Sequence, residues 1–236
     1  MIDGTRKRTV GILQPSYLPW LGFFEQMNRC DIFVYYDDVQ FEKGSWRNRN
    51  RIKTPEGPQW LTVPVTIKGQ GFPSIKDVRI NKVVPWAKKH VRAIIQNYSK
   101  APFFDAYAAS LFSLLERDWE FLIDLNLAIL DWMIDQLGIQ TKTVLSSELG
   151  IPGARVERLV GIIKRCGGDV FYEGQAGRSY IDVEEFEKEG ITVMFQDYRH
   201  PEYPQLHGGF VSHLSVIDLI LNCGPESLGI IGGEHE

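Results

Sequence analysis

The feature that most restricts this chain is a five-residue apolar run, Thr9–Leu13 (TVGIL), stopped by a segment holding two prolines, Pro15 and Pro19. Proline fixes φ and removes a backbone donor, so a strand formed by the run cannot extend through Gln14–Pro19. Beyond it, Trp20 to Arg29 suits a helix, with Trp20, Phe23, Phe24 and Met27 on one face. Asp31 to Tyr36 (DIFVYY) then reads as a second strand. A strand, a stiff turn, a helix and a strand in under thirty residues imply parallel pairing through a right-handed crossover.

The same alternation returns near the C-terminus. A strand is expected over 141–145, a helix over 154–166, a strand over 169–172, a short helix over 183–189 and a strand over 192–196. A helix over 214–222 is expected to close the chain, with Ser212 as its cap and Ser215 and Asp218 at its start. Between the halves, Asp37 to Lys53 is polar with few strand or helix signals, Trp60 to Ile67 reads as a strand bent at Pro64, and Lys68 to Pro73 reads as a loop. Three amphipathic helices follow, over 85–98, 104–117 and 119–137, with Gly138 as a C-cap. The expected architecture is α/β: one doubly wound, Rossmann-like, mostly parallel sheet in a single domain of residues 1–236, with a helical insert at about 85–138.

Composition narrows the function classes. A formal net charge of −4 argues against a surface that tracks nucleic acid as a whole. Cys30, Cys166 and Cys223 form no CxxC and have no histidine at ligand spacing, so buried thiols are expected and no metal site. No apolar run reaches membrane-spanning length, and the basic N-terminal residues lack a following signal-peptide core; the expected location is the cytoplasm. Neither GxGxxG nor GxxxxGK[ST] occurs, and no GxSxG turn supports a serine triad.

Two segments carry candidate chemistry. Ligands of open α/β sheets bind beyond the carboxyl ends of the strands, where the first turn lies. There Gln14 offers an amide, Tyr17 a hydroxyl and Trp20 a stacking face; alternatively, the aromatic rings simply pack. The second segment starts with Asp37, Asp38 and Gln40. It continues from Glu42 to Lys53 with five cations (Lys43, Arg47, Arg49, Arg51, Lys53) against one carboxylate. Trp46 opens the dense part, and Asn48 and Asn50 alternate with the arginines, which would share one face of an extended segment. Guanidinium forks suit phosphate or carboxylate, so the run reads as an anion site, with a solvated or internally paired face as the alternative. Asp37 and Asp38 could orient an amine or hydroxyl, act as a base, or pair with those arginines. Arg178, in the turn-rich stretch after the 169–172 strand, could line the opposite wall, and His200 and His207 suit ordinary surface or cleft roles.

The blocks QPSYLPWLGFF and CDIFVYYDDVQFEKGSWRNRNRIKTPEGPQWLTVPV resemble the WbqC-like protein family, without departure. The likeness extends through YSKAPFF, YEGQAGRSYID, HPEYPQ and LSVIDLILNCG, nearly the whole chain. The resemblance implies a bacterial cytoplasmic protein encoded near surface-polysaccharide genes such as those for O-antigen, or in specialised-metabolite clusters. It implies a transferase that moves an acyl or aminoacyl group to an amine, often on a sugar. Such a reaction would use a phosphorylated donor (a carrier-bound or CoA thioester, or a nucleotide), a small-molecule acceptor and, in one form, an acyl carrier protein. It brings no assigned catalytic residues. A weaker likeness joins the first unit to nucleotidylyl-transferring enzymes such as pantothenate synthetases, whose turn holds His-x-Gly-His where this chain has Trp20-Leu21-Gly22-Phe23. The alternatives implied are nucleotidylyl transfer or a noncatalytic binding module.

Overall fold

A computed structural model describes residues 6–67 and 71–233; Met1–Thr5 and the first part of the expected 68–73 loop lie outside the described residues. Along the chain run β1 (Thr9–Leu13), α1 (Leu21–Asn28), β2 (Ile32–Tyr35), β3 (Arg49–Thr54), β4 (Gly57–Thr62), β5 (Val65–Thr66) and β6 (Arg79–Ile80). Then come α2 (Trp86–Tyr98), α3 (Phe104–Leu115), α4 (Leu122–Leu137), β7 (Lys142–Leu145), α5 (Ser146–Leu149) and α6 (Arg155–Arg165). The last elements are β8 (Val170–Glu173), α7 (Val183–Lys188), β9 (Thr192–Phe195), α8 (Val216–Cys223) and α9 (Ser227–Gly232). The contacts divide them between two compact units, one of residues 1–14, 25–37 and 140–199, the other of 15–24, 38–139 and 200–236.

The first unit is the expected α/β sheet. Its five strands run parallel in the order β7-β2-β1-β8-β9. The chain winds outward from β1 to β2 and β7, then restarts beside β1 with β8 and continues to β9. The order therefore reverses between β1 and β8, which makes their carboxyl ends the switch point of the sheet. Val10, Ile12, Val34 and Phe171 pack with Val160, Ile162 and Ile163 of α6 and Phe186 of α7 into one buried cluster. Gly11 is required within β1, since a Cβ there would lie 2.8 Å from the Cys30 sulfur.

The second unit holds the helices α2, α3, α4, α8 and α9 and two antiparallel pairs, β3–β4 and β5–β6. Several expectations change here. The polar segment read as having few strand or helix signals contains β3, which pairs along its whole length with β4. The strand expected over 60–67 starts earlier, at Gly57, and is broken at Val63–Pro64 into β4 and β5, because proline cannot donate to a ladder. Ser215, not Ser212, caps α8, its hydroxyl accepting from the Ile217 N–H at 3.4 Å. Nor is α8 the last helix, since α9 follows. Gly138 ends α4 at φ 73°, as the sequence implied. All three cysteines are buried free thiols.

Candidate functional site

In the second unit, the proline turn and the cationic run are brought together. The Tyr17 N–H donates to the Trp46 carbonyl at 3.2 Å, and the Arg47 guanidinium donates to the Ser16 hydroxyl at 2.6 Å. The Asn50 amide donates to the Leu18 carbonyl at 2.6 Å, holding a residue that sits at φ 46° without being glycine. Asn48 donates likewise to the Val63 carbonyl at 2.8 Å. The asparagines of the run are thus buried braces: they fix the turn and strand to each other and turn their amides inward.

The arginines behave differently. The Arg49 guanidinium lies over the Trp60 ring at 4.3 Å, and that of Arg51 lies 5.8 Å from the Trp46 ring and 5.6 Å from Trp60. Arg51 and Trp60 are directly opposed in the β3–β4 ladder. Cross-strand opposition plus cation–π attraction explains why a strand this polar forms. Arg51 also donates to the His213 carbonyl at 3.2 Å. Burial pulls the Arg47 pKa down to about 10, with Glu42 opposing, so Arg47 remains a cation at neutral pH. Among the described residues, none of Arg47, Arg49 and Arg51 enters an ion pair.

Other residues of the run are spent or outlying. Lys53 is almost fully buried, and its ammonium donates to the carbonyls of Gly208 and Gly209 at 3.2 and 2.6 Å. Lys43 and Gln40 are exposed, Gln40 forming a backbone bridge with Ser74. Tyr17 is fully buried: its hydroxyl bonds to His90 Nδ1 at 2.8 Å, while the His90 ring N–H is given to the Thr62 carbonyl. Trp20 stacks on His213 (centroids 5.1 Å apart, 20° between planes) and on His200 (6.2 Å, 19°). His200 and His213 thereby join an aromatic stack, a role no spacing in the sequence indicates.

In the first unit, Gln14 follows β1 and Glu173 ends β8, at the two sides of the switch point. Asp37 follows β2, but its carboxylate is saturated. It accepts from both serine hydroxyls of the next turn, Ser146 at 2.9 Å and Ser147 at 2.6 Å, and from the Ser147 N–H at 3.0 Å. That arrangement holds the start of α5. Glu173 is the group that sequence reasoning passed over. Burial pushes its pKa up to about 7, against the opposing bonds from the Tyr180 hydroxyl (3.1 Å) and the Gly174 N–H. Arg178 is exposed and stacks on Phe195 at 4.9 Å. Among the described residues no group of three or more metal-binding side chains occurs, and no helix is long and apolar enough to cross a membrane.

Comparison with known proteins agrees with the motifs. The chain is 38% identical over 222 residues to the uncharacterized protein Rv1507c of Mycobacterium tuberculosis, a match covering 93% of this chain and 96% of the relative. No solved structure matches. The model of the WbqC-like protein family matches residues 14–230, from the glutamine that follows β1 to within α9, and the chain belongs to that family.

Proposed function

We propose that the protein is a transferase that moves an acyl or aminoacyl group from a phosphorylated donor to an amine acceptor, such as an amino sugar, in bacterial polysaccharide or specialised-metabolite biosynthesis. The observation that carries the reading is the set of guanidinium groups at Arg47, Arg49 and Arg51, which meet indoles, a hydroxyl and a carbonyl and, among the described residues, form no ion pair. An excess of fixed positive charge held by buried asparagine braces suits a phosphorylated ligand that supplies the missing anion.

In this reading the arginines hold the donor's phosphate. The acceptor nitrogen attacks the acyl carbonyl carbon, the new C–N bond forms, and the bond to the donor's sulfur or oxygen breaks with its electron pair leaving on the donor. The proton lost by nitrogen goes to a carboxylate. Asp38, in the same unit as the arginines, takes that role.

Incubation with amino-sugar nucleotides and activated acyl donors, followed by mass spectrometry, is expected to yield an N-acylated product. Arg47→Ala and Arg49→Ala should each lower kcat/KM by roughly 10- to 100-fold, as expected for losing a charged hydrogen bond of about 1.5–3 kcal/mol. No product with any donor and acceptor pairing would overturn the reading.

A further inference from the structure

We infer that the ligand held by the β3–β4 hairpin carries an aromatic base, so that the donor is a nucleotide-bearing molecule and not a carrier-bound phosphopantetheine. The inference rests on the reading above, that the arginines bind a phosphorylated donor, and it names the donor's chemical class.

Two large rings are left in water. Trp46 and Trp60 are 45% and 42% exposed, although an indole is among the side chains with most to gain from burial. They lie 5.3 Å apart at 39°, as a tilted pair. Cation–π contact with Arg49 and Arg51 accounts for how the guanidiniums are held but leaves much of both rings uncovered. A stacked guanidinium keeps its edge N–H groups free to point at an anion, and the Nε atoms of Arg49 and Arg51 are buried without a hydrogen-bond partner. Planar apolar faces set beside unpaired cations match a ligand that joins a planar base to phosphate. Phosphopantetheine has phosphate but no ring, and would leave both indoles unused. The sequence hides this pairing, because Trp60 and Arg51 are nine positions apart and meet only through the ladder register.

Calorimetric titration of the whole chain with ADP, UDP and inorganic pyrophosphate separates the two claims. The nucleotides are expected to bind about tenfold or more tighter than pyrophosphate, the scale of one stacked base. Trp46→Leu combined with Trp60→Leu should erase that advantage, bringing nucleotide affinity down to that of pyrophosphate for the same variant, and Arg49→Ala should weaken every ligand. Both indoles are partly exposed, so an unaltered melting temperature checks the double variant. Quenching of wild-type tryptophan emission by nucleotide but not by pyrophosphate gives a readout that needs no variant. Equal affinity for nucleotides and pyrophosphate, or a nucleotide advantage that survives loss of both indoles, overturns the base-stacking inference and leaves the phosphorylated-donor reading standing. Binding of none of the three overturns both.

Discussion

Glu173 and His90 are buried groups whose charged forms the fold opposes, so their pKa values move in contrary directions, and the pH dependence of stability should show it. Burial raises Glu173 from 4.5 to about 7. The unfolded chain ionises this carboxyl first, so stability is lost as pH rises from about 4.5 to 7, at most about 3 kcal/mol. Burial lowers His90 from 6.5 to about 4, with its bond to the Thr62 carbonyl opposing. The unfolded chain protonates this imidazole first, so stability is lost as pH falls from 6.5 to 4. Between about pH 4.5 and 6.5 the two slopes cancel. Glu173→Gln should remove one of them: relative to the parent, urea denaturation is expected to show an added climb of stability with pH of about 1.4 kcal/mol per unit in that window. A variant with the parent's slope would show that Glu173 is not the compensating group.

At the scale of elements, the turn into α1 depends on what is missing at Gly22. A Cβ there would fall 2.3 Å from the Trp20 ring, a rigid neighbour that cannot fold aside as a flexible chain end can. Gly22→Ala should therefore push the indole off His213 and cost about 1–3 kcal/mol, seen as a lower melting temperature and an altered near-ultraviolet circular dichroism spectrum. Elements built on apolar periodicity, such as β1, β2, β7, α6 and β8, were legible to within a few residues because a buried face leaves its period in the sequence. The β3–β4 hairpin was not. Its outer face is arginine against tryptophan, and its inner face includes an asparagine amide bonded to a backbone carbonyl, Asn50 to Leu18. The partner that makes such a residue strand-like is remote in sequence. A cue did exist in Thr54-Pro55-Glu56-Gly57, a proline–glycine turn whose Gly57 takes φ 112°, between two runs of hairpin length. In the candidate site, the alternation of arginine and asparagine was legible in the sequence. That the asparagines brace, that Lys53 is tied to Gly208 and Gly209, and that Arg51 faces Trp60 follow only from the fold.

On the scale of the whole molecule, each compact unit is assembled from separated stretches. The second is fastened at Asp218, fully buried at the start of α8, whose carboxylate accepts from the hydroxyls of Tyr98 (2.7 Å) and Tyr203 (2.9 Å) and from the Gln205 amide (2.8 Å). Burial outweighs these bonds and holds its pKa above the usual carboxylate range. The Tyr98 hydroxyl also accepts from the Lys53 N–H, so α2, β3, the 203–205 segment and α8 converge on one residue. Asp218→Ala should strand those donors and lower stability by about 3–5 kcal/mol, whereas Asp218→Asn should lose less; the shift in urea midpoint measures both. The first unit has the converse problem, one of timing. Its central strand β1 is made 161 positions ahead of β8, the neighbour on one flank. Until then β1 has β2 alone beside it and a bare edge on the other side, open to pairing with any extended chain nearby. The seam between β1 and β8, where the winding reverses and a sheet of this kind receives its ligand, is among the last joins that synthesis can close.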